Sequence, residues 1–146
     1  MPIKKYKPTT PGRRGASAQD FSDITKKRPE KSLTKVLKKH SGRNNTGSIT
    51  VRHRGGGVKK LYRMVDFKRF SFDTPATVEA IEYDPNRGAR IALVSFEDNT
   101  KAYYIAAKGQ KVGDVVISSQ QKIDATIGNR MPLEHIPVGL FVYNVE

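Results

Sequence analysis

From Pro75 onward, hydrophobic residues fall in short runs that are separated by turn-forming residues. β-Branched and aromatic side chains are common in these runs, as is typical of strands. Several short strands at close spacing predict a mainly β fold, either a small closed barrel or a sandwich. The predicted strands are residues 76–83, 90–96, 101–107 and 115–118, a weaker one at 123–127, and a last one at 140–145.

Two of these runs carry further detail. In residues 76–83 the apolar positions change parity between Ala80 and Ile81, which predicts a β-bulge near Ala80. Residues 90–96 are almost continuously apolar, as in a strand that is buried on both faces. Turns are predicted at 84–88 and 97–100, and a loop between Pro132 and Pro137.

The first 31 residues contain four prolines and few apolar side chains. Proline removes a backbone donor and fixes φ, so a long helix or a central strand is disfavoured there. We predict an extended tail that is disordered when free and ordered on RNA. In residues 32–39, Leu33, Val36 and Leu37 have helical spacing, which predicts a short helix docked on a neighbouring surface.

Residues 48–54 alternate between two kinds of side chain. Ile49 and Val51 share one parity, and Arg52 and Arg54 share the other. Because a strand places alternate side chains on opposite faces, we predict one face packed on protein and the other aimed at phosphates. Residues 55–57 are three glycines that end this strand, and residues 61–67 resume extended character.

Charge is distributed unevenly along the chain. The net charge is +13, and residues 1–70 hold 20 Lys/Arg against 4 Asp/Glu, whereas residues 71–146 hold 7 against 10. A positive charge confined to one half predicts contact with a polyanion, and nucleic acid is favoured over a membrane because no long amphipathic basic helix is present. A solvated basic tail is the alternative that this distribution disfavours.

The chain lacks the residues that most catalytic and metal sites require. The chain has no Cys, which excludes disulfides, thiol nucleophiles and Cys-based zinc sites. His40, His53 and His135 are far apart in sequence and show no metal-ligand spacing. The segment 55–60 does not match the glycine and lysine spacing of a nucleotide-binding loop. We therefore predict no enzyme activity, no metal, no cofactor and no small-molecule substrate.

The same segments suit RNA. Glycines let backbone N–H groups approach phosphates, arginine can bind phosphate with two N–H groups, and amide side chains can contact base edges or 2′-hydroxyls. A flexible linker is the alternative for the glycines, and a core aromatic is the alternative for Tyr62. The candidate RNA-binding residues are Arg13, Arg14, Arg43, Asn44, Asn45, Arg52, His53, Arg54, Gly55, Gly56, Gly57, Lys59, Lys60, Tyr62, Arg63, Lys68, Arg69, Arg87 and Arg90.

Ordered motifs along the chain resemble the bacterial large-subunit ribosomal protein L two family. They begin with Lys-Pro-Thr-Thr-Pro-Gly-Arg-Arg at 7–14 and Gly-Arg-Asn-Asn at 42–45. Later motifs are Arg-His-Arg-Gly-Gly-Gly at 52–57, Asp-Phe-Lys-Arg at 66–69, Ile-Glu-Tyr-Asp-Pro-Asn-Arg at 81–87, Ile-Ala-Leu at 91–93 and Ile-Pro-Val-Gly at 136–139. Val58 departs from the pattern, because the family usually has His there.

The resemblance implies a non-catalytic structural protein of the cytoplasmic large ribosomal subunit. Its partners would be large-subunit rRNA, other ribosomal proteins and, at the subunit interface, the small subunit; the full-length family is also associated with the peptidyl transferase region. The implied architecture is a basic, mostly irregular RNA-binding extension at 1–70, a small OB-like Greek-key barrel at 71–139, and at 140–146 the start of an SH3-like domain that is absent. The chain is expected to be the first half of such a protein.

A general single-stranded RNA- or DNA-binding OB module is the alternative, in which aromatic side chains of the barrel stack on bases. The acidic balance of residues 71–146 argues against the barrel face as the main contact.

Overall fold

The computed structural model describes residues 3–145 and is mainly β. It contains one short helix, α1 (Pro11–Arg14), and two 3₁₀ turns at Lys31–Leu33 and Leu133–His135. The strands are β1 (Ile3–Lys5), β2 (Ser17–Gln19), β3 (Thr34–Val36), β4 (Leu61–Arg63), β5 (Ala76–Tyr83), β6 (Arg90–Phe96), β7 (Lys101–Ile105) and β8 (Val115–Val116). No helix in this part of the chain is long and apolar enough to cross a membrane.

The core is an antiparallel four-stranded sheet in the order β7-β6-β5-β8. β5 and β6 have the predicted bounds, and the predicted bulge is confirmed by a shift in register between Val78 and Ala80. The bulge changes which side chains share a face. Val78 and Ile81 therefore lie in one buried cluster, and Ala80 lies in the other.

The central strand β6 is buried on both faces, as predicted. Ala92 and Val94 pack in the first cluster with Tyr104, and Ile91 and Leu93 pack in the second with Tyr103. Turns separate β5, β6 and β7 where they were predicted, and Asn99 has a φ of 62° in the second of them. A mainly β fold built on an antiparallel sheet is thus confirmed.

Residues 1–31 are predicted to be an extended tail that is disordered when free, but part of this segment binds the sheet. β8 pairs only with Ala76 and Thr77, which leaves part of the other edge of β5 open. Thr25 covers that edge: its N–H donates to the Ile81 carbonyl at 3.0 Å, and its Oγ1 accepts from the Ile81 N–H at 2.9 Å. Prolines exclude a long helix, but they do not prevent a segment from binding a sheet edge.

The prediction of a short helix at 32–39 is wrong. After the 3₁₀ turn the chain extends into β3, which pairs antiparallel with β4. Leu33 packs against the second buried cluster, as does Val65. Two helical turns are marginal in water, so strand pairing and this contact outweigh the helical spacing.

Three predicted strands do not form. Residues 48–54 contain only a bridge from Ile49 to Arg43, and Ile49 and Val51 remain 62% and 51% exposed, so no face packs on protein. Residues 123–127 and 140–145 form no strand either. Alternation of side chains indicates a strand only where a partner edge is available, and the described residues supply none for these segments.

Candidate nucleic-acid interface

A basic arm, residues 37–60, leaves the domain between β3 and β4. It contains seven Lys/Arg and no Asp/Glu. Only Ser41 and Gly42 are half-buried, and every other residue of the arm is exposed. With no carboxylate in the arm to neutralise them, these cations remain available to an external anion.

A tight turn at residues 42–51 gives the arm internal structure. The Gly42 carbonyl accepts hydrogen bonds from the N–H groups of Thr50 at 2.9 Å and Val51 at 3.1 Å. Gly42 has a φ of 69°, and a Cβ at this position would collide with the Val51 carbonyl oxygen. The turn therefore requires glycine at residue 42.

The side chains of Asn44 and Arg43 form hydrogen bonds within this turn. Asn44 Oδ1 accepts from the N–H groups of Thr46 at 3.1 Å and Ser48 at 2.9 Å, and from the Thr46 hydroxyl at 2.7 Å. Arg43 Nη1 donates to the Gly47 carbonyl at 3.0 Å. The Asn44 oxygen is therefore already occupied, whereas the exposed Asn45 side chain has no partner within residues 3–145.

The glycine-rich segment that follows is rich in unsatisfied donors. His53 has a φ of 61°, and Gly55, Gly56 and Gly57 have φ values of 109°, 77° and 75°. None of the backbone N–H groups of residues 52–60 donates to another atom within residues 3–145. Successive backbone N–H groups in such a turn can converge on an anion. Arg52, Arg54, Lys59 and Lys60 are exposed around them, as is Val58.

Several predicted residues lie outside the arm. Arg13 and Arg14 are exposed on α1, with the Arg13 guanidinium 4.9 Å from the Tyr6 ring centroid. Lys68 is exposed after β4. Tyr62 is half-buried within β4. The structure therefore does not bring all nineteen candidates together.

Arg69 faces the protein rather than solvent. Its side chain donates to the carbonyls of Gly128 at 2.7 Å and Ile105 at 3.3 Å and to the Tyr143 hydroxyl at 3.2 Å. The guanidinium also lies 4.3 Å from the Tyr104 ring centroid. The residue is 5% exposed, so its donors serve to join three parts of the domain.

Three other predicted arginines are engaged in the same way. Arg90 binds Asp23 through Nε at 2.9 Å and Nη2 at 3.1 Å, and this pair lowers the pKa of the Asp23 carboxyl, chiefly through the hydrogen bonds. Arg87 Nε contacts Asp84 Oδ2 at 2.6 Å. Arg63 is 8% exposed and donates to the Leu61 carbonyl at 2.8 Å.

Some exposed cations were not among the predicted residues. Lys38 and Lys39 lie in the arm, and Lys27, Arg28 and Lys31 lie on the N-terminal segment that binds β5. An acid-free stretch from residue 37 to residue 60 is the sequence signal that would have identified the first two. Among the described residues, no group of three or more His, Asp or Glu side chains is arranged to hold a metal ion.

The fold and this surface define a class of protein: a small antiparallel β domain that projects a basic, acid-free arm. Comparison with known proteins narrows the class. Residues 30–118 match the family described as Ribosomal Proteins L2, RNA binding N-terminal domain. The chain is 56% identical over 146 residues to the large ribosomal subunit protein uL2 of Roseobacter denitrificans.

The chain belongs to the ribosomal protein L2 family. The match covers 100% of this chain and 52% of the Roseobacter protein, so the chain spans about half the length of the curated relative it matches.

Proposed function

We propose that this chain is a structural, non-catalytic constituent of the large ribosomal subunit in the cytoplasm, where it binds large-subunit rRNA. The observation that carries the proposal is the composition and exposure of the basic arm. Its cations are exposed, the backbone N–H groups of residues 52–60 are free within residues 3–145, and the arm contains no carboxylate. Membership of a family described as having an RNA-binding N-terminal domain supports it. Other ribosomal proteins and, at the subunit interface, the small subunit are further proposed partners.

We propose the arm as the main contact, with the exposed Arg13, Arg14 and Lys68 as additional ones. Arg63, Arg69, Arg87 and Arg90 would then act on RNA indirectly, because each side chain is largely buried and donates to a protein acceptor. The proposed architecture remains a basic RNA-binding extension at 1–70, an OB-like Greek-key barrel at 71–139, and the beginning of a further domain at 140–146. A role near the peptidyl transferase region would belong to a longer protein of this family.

Charge-matched variants test the arm. Changing Arg52, Arg54 and Lys59 to Ala should weaken binding to a large-subunit rRNA fragment by about a hundredfold in low salt, because phosphate contacts and counterion release are lost. The log–log salt slope should become shallower by about 0.7 to 0.9 per contact. The control removes three exposed cations outside the arm, Lys108, Lys111 and Lys122. Filter binding measures affinity, and circular dichroism checks folding.

Wild-type affinity in the arm variant would overturn the proposal. An equal loss of affinity in both triple variants would overturn the arm as the main contact, because it would indicate a general effect of net charge. The single-stranded binding module predicts contact through barrel aromatics. Tyr103 and Tyr104 are 0% and 3% exposed and cannot stack on a base, whereas Tyr83 on β5 is 39% exposed, so this alternative would have to use Tyr83.

A further inference from the structure

The base of the basic arm is bound to a turn of the sheet through one carbonyl group. Met64 donates its N–H to the Leu33 carbonyl at 2.9 Å, so the alternation of antiparallel pairing directs the Leu61 carbonyl away from β3. That carbonyl instead accepts from Arg63 Nη1 of the same strand at 2.8 Å and from Asn86 Nδ2 at 2.9 Å, and only the second bond joins it to the turn. Leu61 is the first residue of β4 after the arm and pairs with Val36, the last residue of β3 before it. Asn86 lies in the turn between β5 and β6.

A buried carboxylate holds this turn in shape. Asp84 is 0% exposed, and its Oδ1 accepts from the N–H of Asn86 at 2.9 Å and from Asn86 Nδ2 at 3.2 Å. Its Oδ2 binds Arg87 Nε at 2.6 Å. The Arg87 guanidinium lies 5.3 Å from the ring centroid of Phe67, which follows β4 in the chain. Both oxygens of the carboxylate accept hydrogen bonds, and Asn86 Nδ2 donates to Asp84 as well as to Leu61, which connects the turn to the base of the arm.

We propose that the turn at residues 84–87 is a clamp that fixes the direction in which the basic arm leaves the sheet, with Asn86 as its positioning residue. The inference rests on the proposed function, because it concerns the same RNA-binding arm. A clamped arm presents its cations in a fixed pattern that a folded rRNA can match, and the ordering is already present before binding. A freed arm would keep its charge but would have to be ordered by the RNA.

Asn86→Ala tests the clamp without changing charge. Affinity for a folded large-subunit rRNA fragment should fall about tenfold, whereas affinity for unstructured single-stranded RNA and the salt slope should remain those of the wild type, because no phosphate contact is removed. Asn99→Gly is the control, since Asn99 lies in the neighbouring turn, has positive φ and makes no side-chain hydrogen bond within residues 3–145. Asn86→Ser, whose side chain is too short to reach Leu61, should repeat the result.

The direction of the arm can be measured directly. The chain has no Cys, so Ile49→Cys and Thr77→Cys place one spin label on the arm and one on the sheet. The distance distribution between them should be narrow in the wild type and at least about twice as wide with Asn86→Ala. Equal widths and unchanged affinity for folded rRNA would overturn the clamp. If the arm variant with Arg52, Arg54 and Lys59 changed to Ala also kept full affinity, the proposed function itself would fail.

Discussion

The buried Tyr103 hydroxyl donates a hydrogen bond to Glu82 Oε2 at 2.8 Å. The same hydroxyl oxygen accepts from the Glu30 N–H at 2.8 Å, so one group joins β5, β7 and the N-terminal segment. Glu82 is 2% exposed, and Lys26 Nζ lies 3.9 Å from its other oxygen. Desolvation by burial raises the pKa of both the Glu82 carboxyl and the Tyr103 hydroxyl, and the hydroxyl therefore stays protonated as the donor.

Tyr103→Phe is expected to destabilise the fold by about 2 to 4 kcal/mol. It leaves a buried carboxylate oxygen and a backbone N–H without their partner, and such unsatisfied groups cost about 1 to 3 kcal/mol each. Urea unfolding measures the free energy of unfolding. Tyr104→Phe is the control, because its hydroxyl has no hydrogen bond within residues 3–145. Similar losses in both variants would show that the network around Glu82 is not special.

The contribution of Glu82 to the free energy of unfolding should fall as pH rises. Because burial raises the pKa of Glu82 in the folded state above its ordinary value of 4.5, the folded protein holds this proton more tightly than the unfolded chain. The free energy of unfolding, wild type minus Glu82→Gln, should therefore decrease as pH rises from about 4.5 through the folded pKa and then level off. Asp23 has the opposite sign, since its lowered pKa removes stability only as pH falls below 3.8. A difference that rises with pH would contradict the assignment.

The sequence predicted the sheet better than it predicted the basic half of the chain. β5 and β6 are long, apolar and bounded by turn residues, so their pattern is set by burial on both faces. The arm has almost no buried residues, so apolar parity at Ile49 and Val51 carried no information about packing.

Contacts distant in sequence explain the remaining errors. Charge alone could not separate the exposed Arg52 from the buried Arg69, because Arg69 is buried by Gly128, Ile105 and Tyr143, which lie 36 to 74 residues further along the chain. The residues of the arm could be identified from composition, but which arginines face solvent could not.

Neighbouring cations at residues 68 and 69 should therefore have opposite effects. Arg69→Lys keeps the charge but cannot reach three acceptors with one ammonium group, and should lower the free energy of unfolding by about 2 to 4 kcal/mol. Lys68→Ala, on the exposed side, should change stability by less than about 0.5 kcal/mol. It should instead weaken rRNA binding by about threefold to tenfold, because one phosphate contact is lost. Urea unfolding and filter binding on both variants check the pair, and the reverse pattern would place Arg69 on the RNA.

Gly42→Ala should weaken rRNA binding without unfolding the sheet. The added Cβ would collide with the Val51 carbonyl oxygen, and alanine at a φ of 69° is itself strained by about 1 kcal/mol. The turn at residues 42–51 must then open, so the cations on either side of it no longer keep a fixed arrangement, and affinity should fall by about tenfold or more.

Gly47→Ala is the control: its φ is 86°, but a Cβ there meets nothing within 4 Å, so the strain is similar and the collision is absent. Thermal unfolding of both variants should match the wild type within about 2 °C, since the arm contributes little to the core. Equal binding losses in the two variants would mean that backbone strain, and not the closed turn, governs the affinity of the arm.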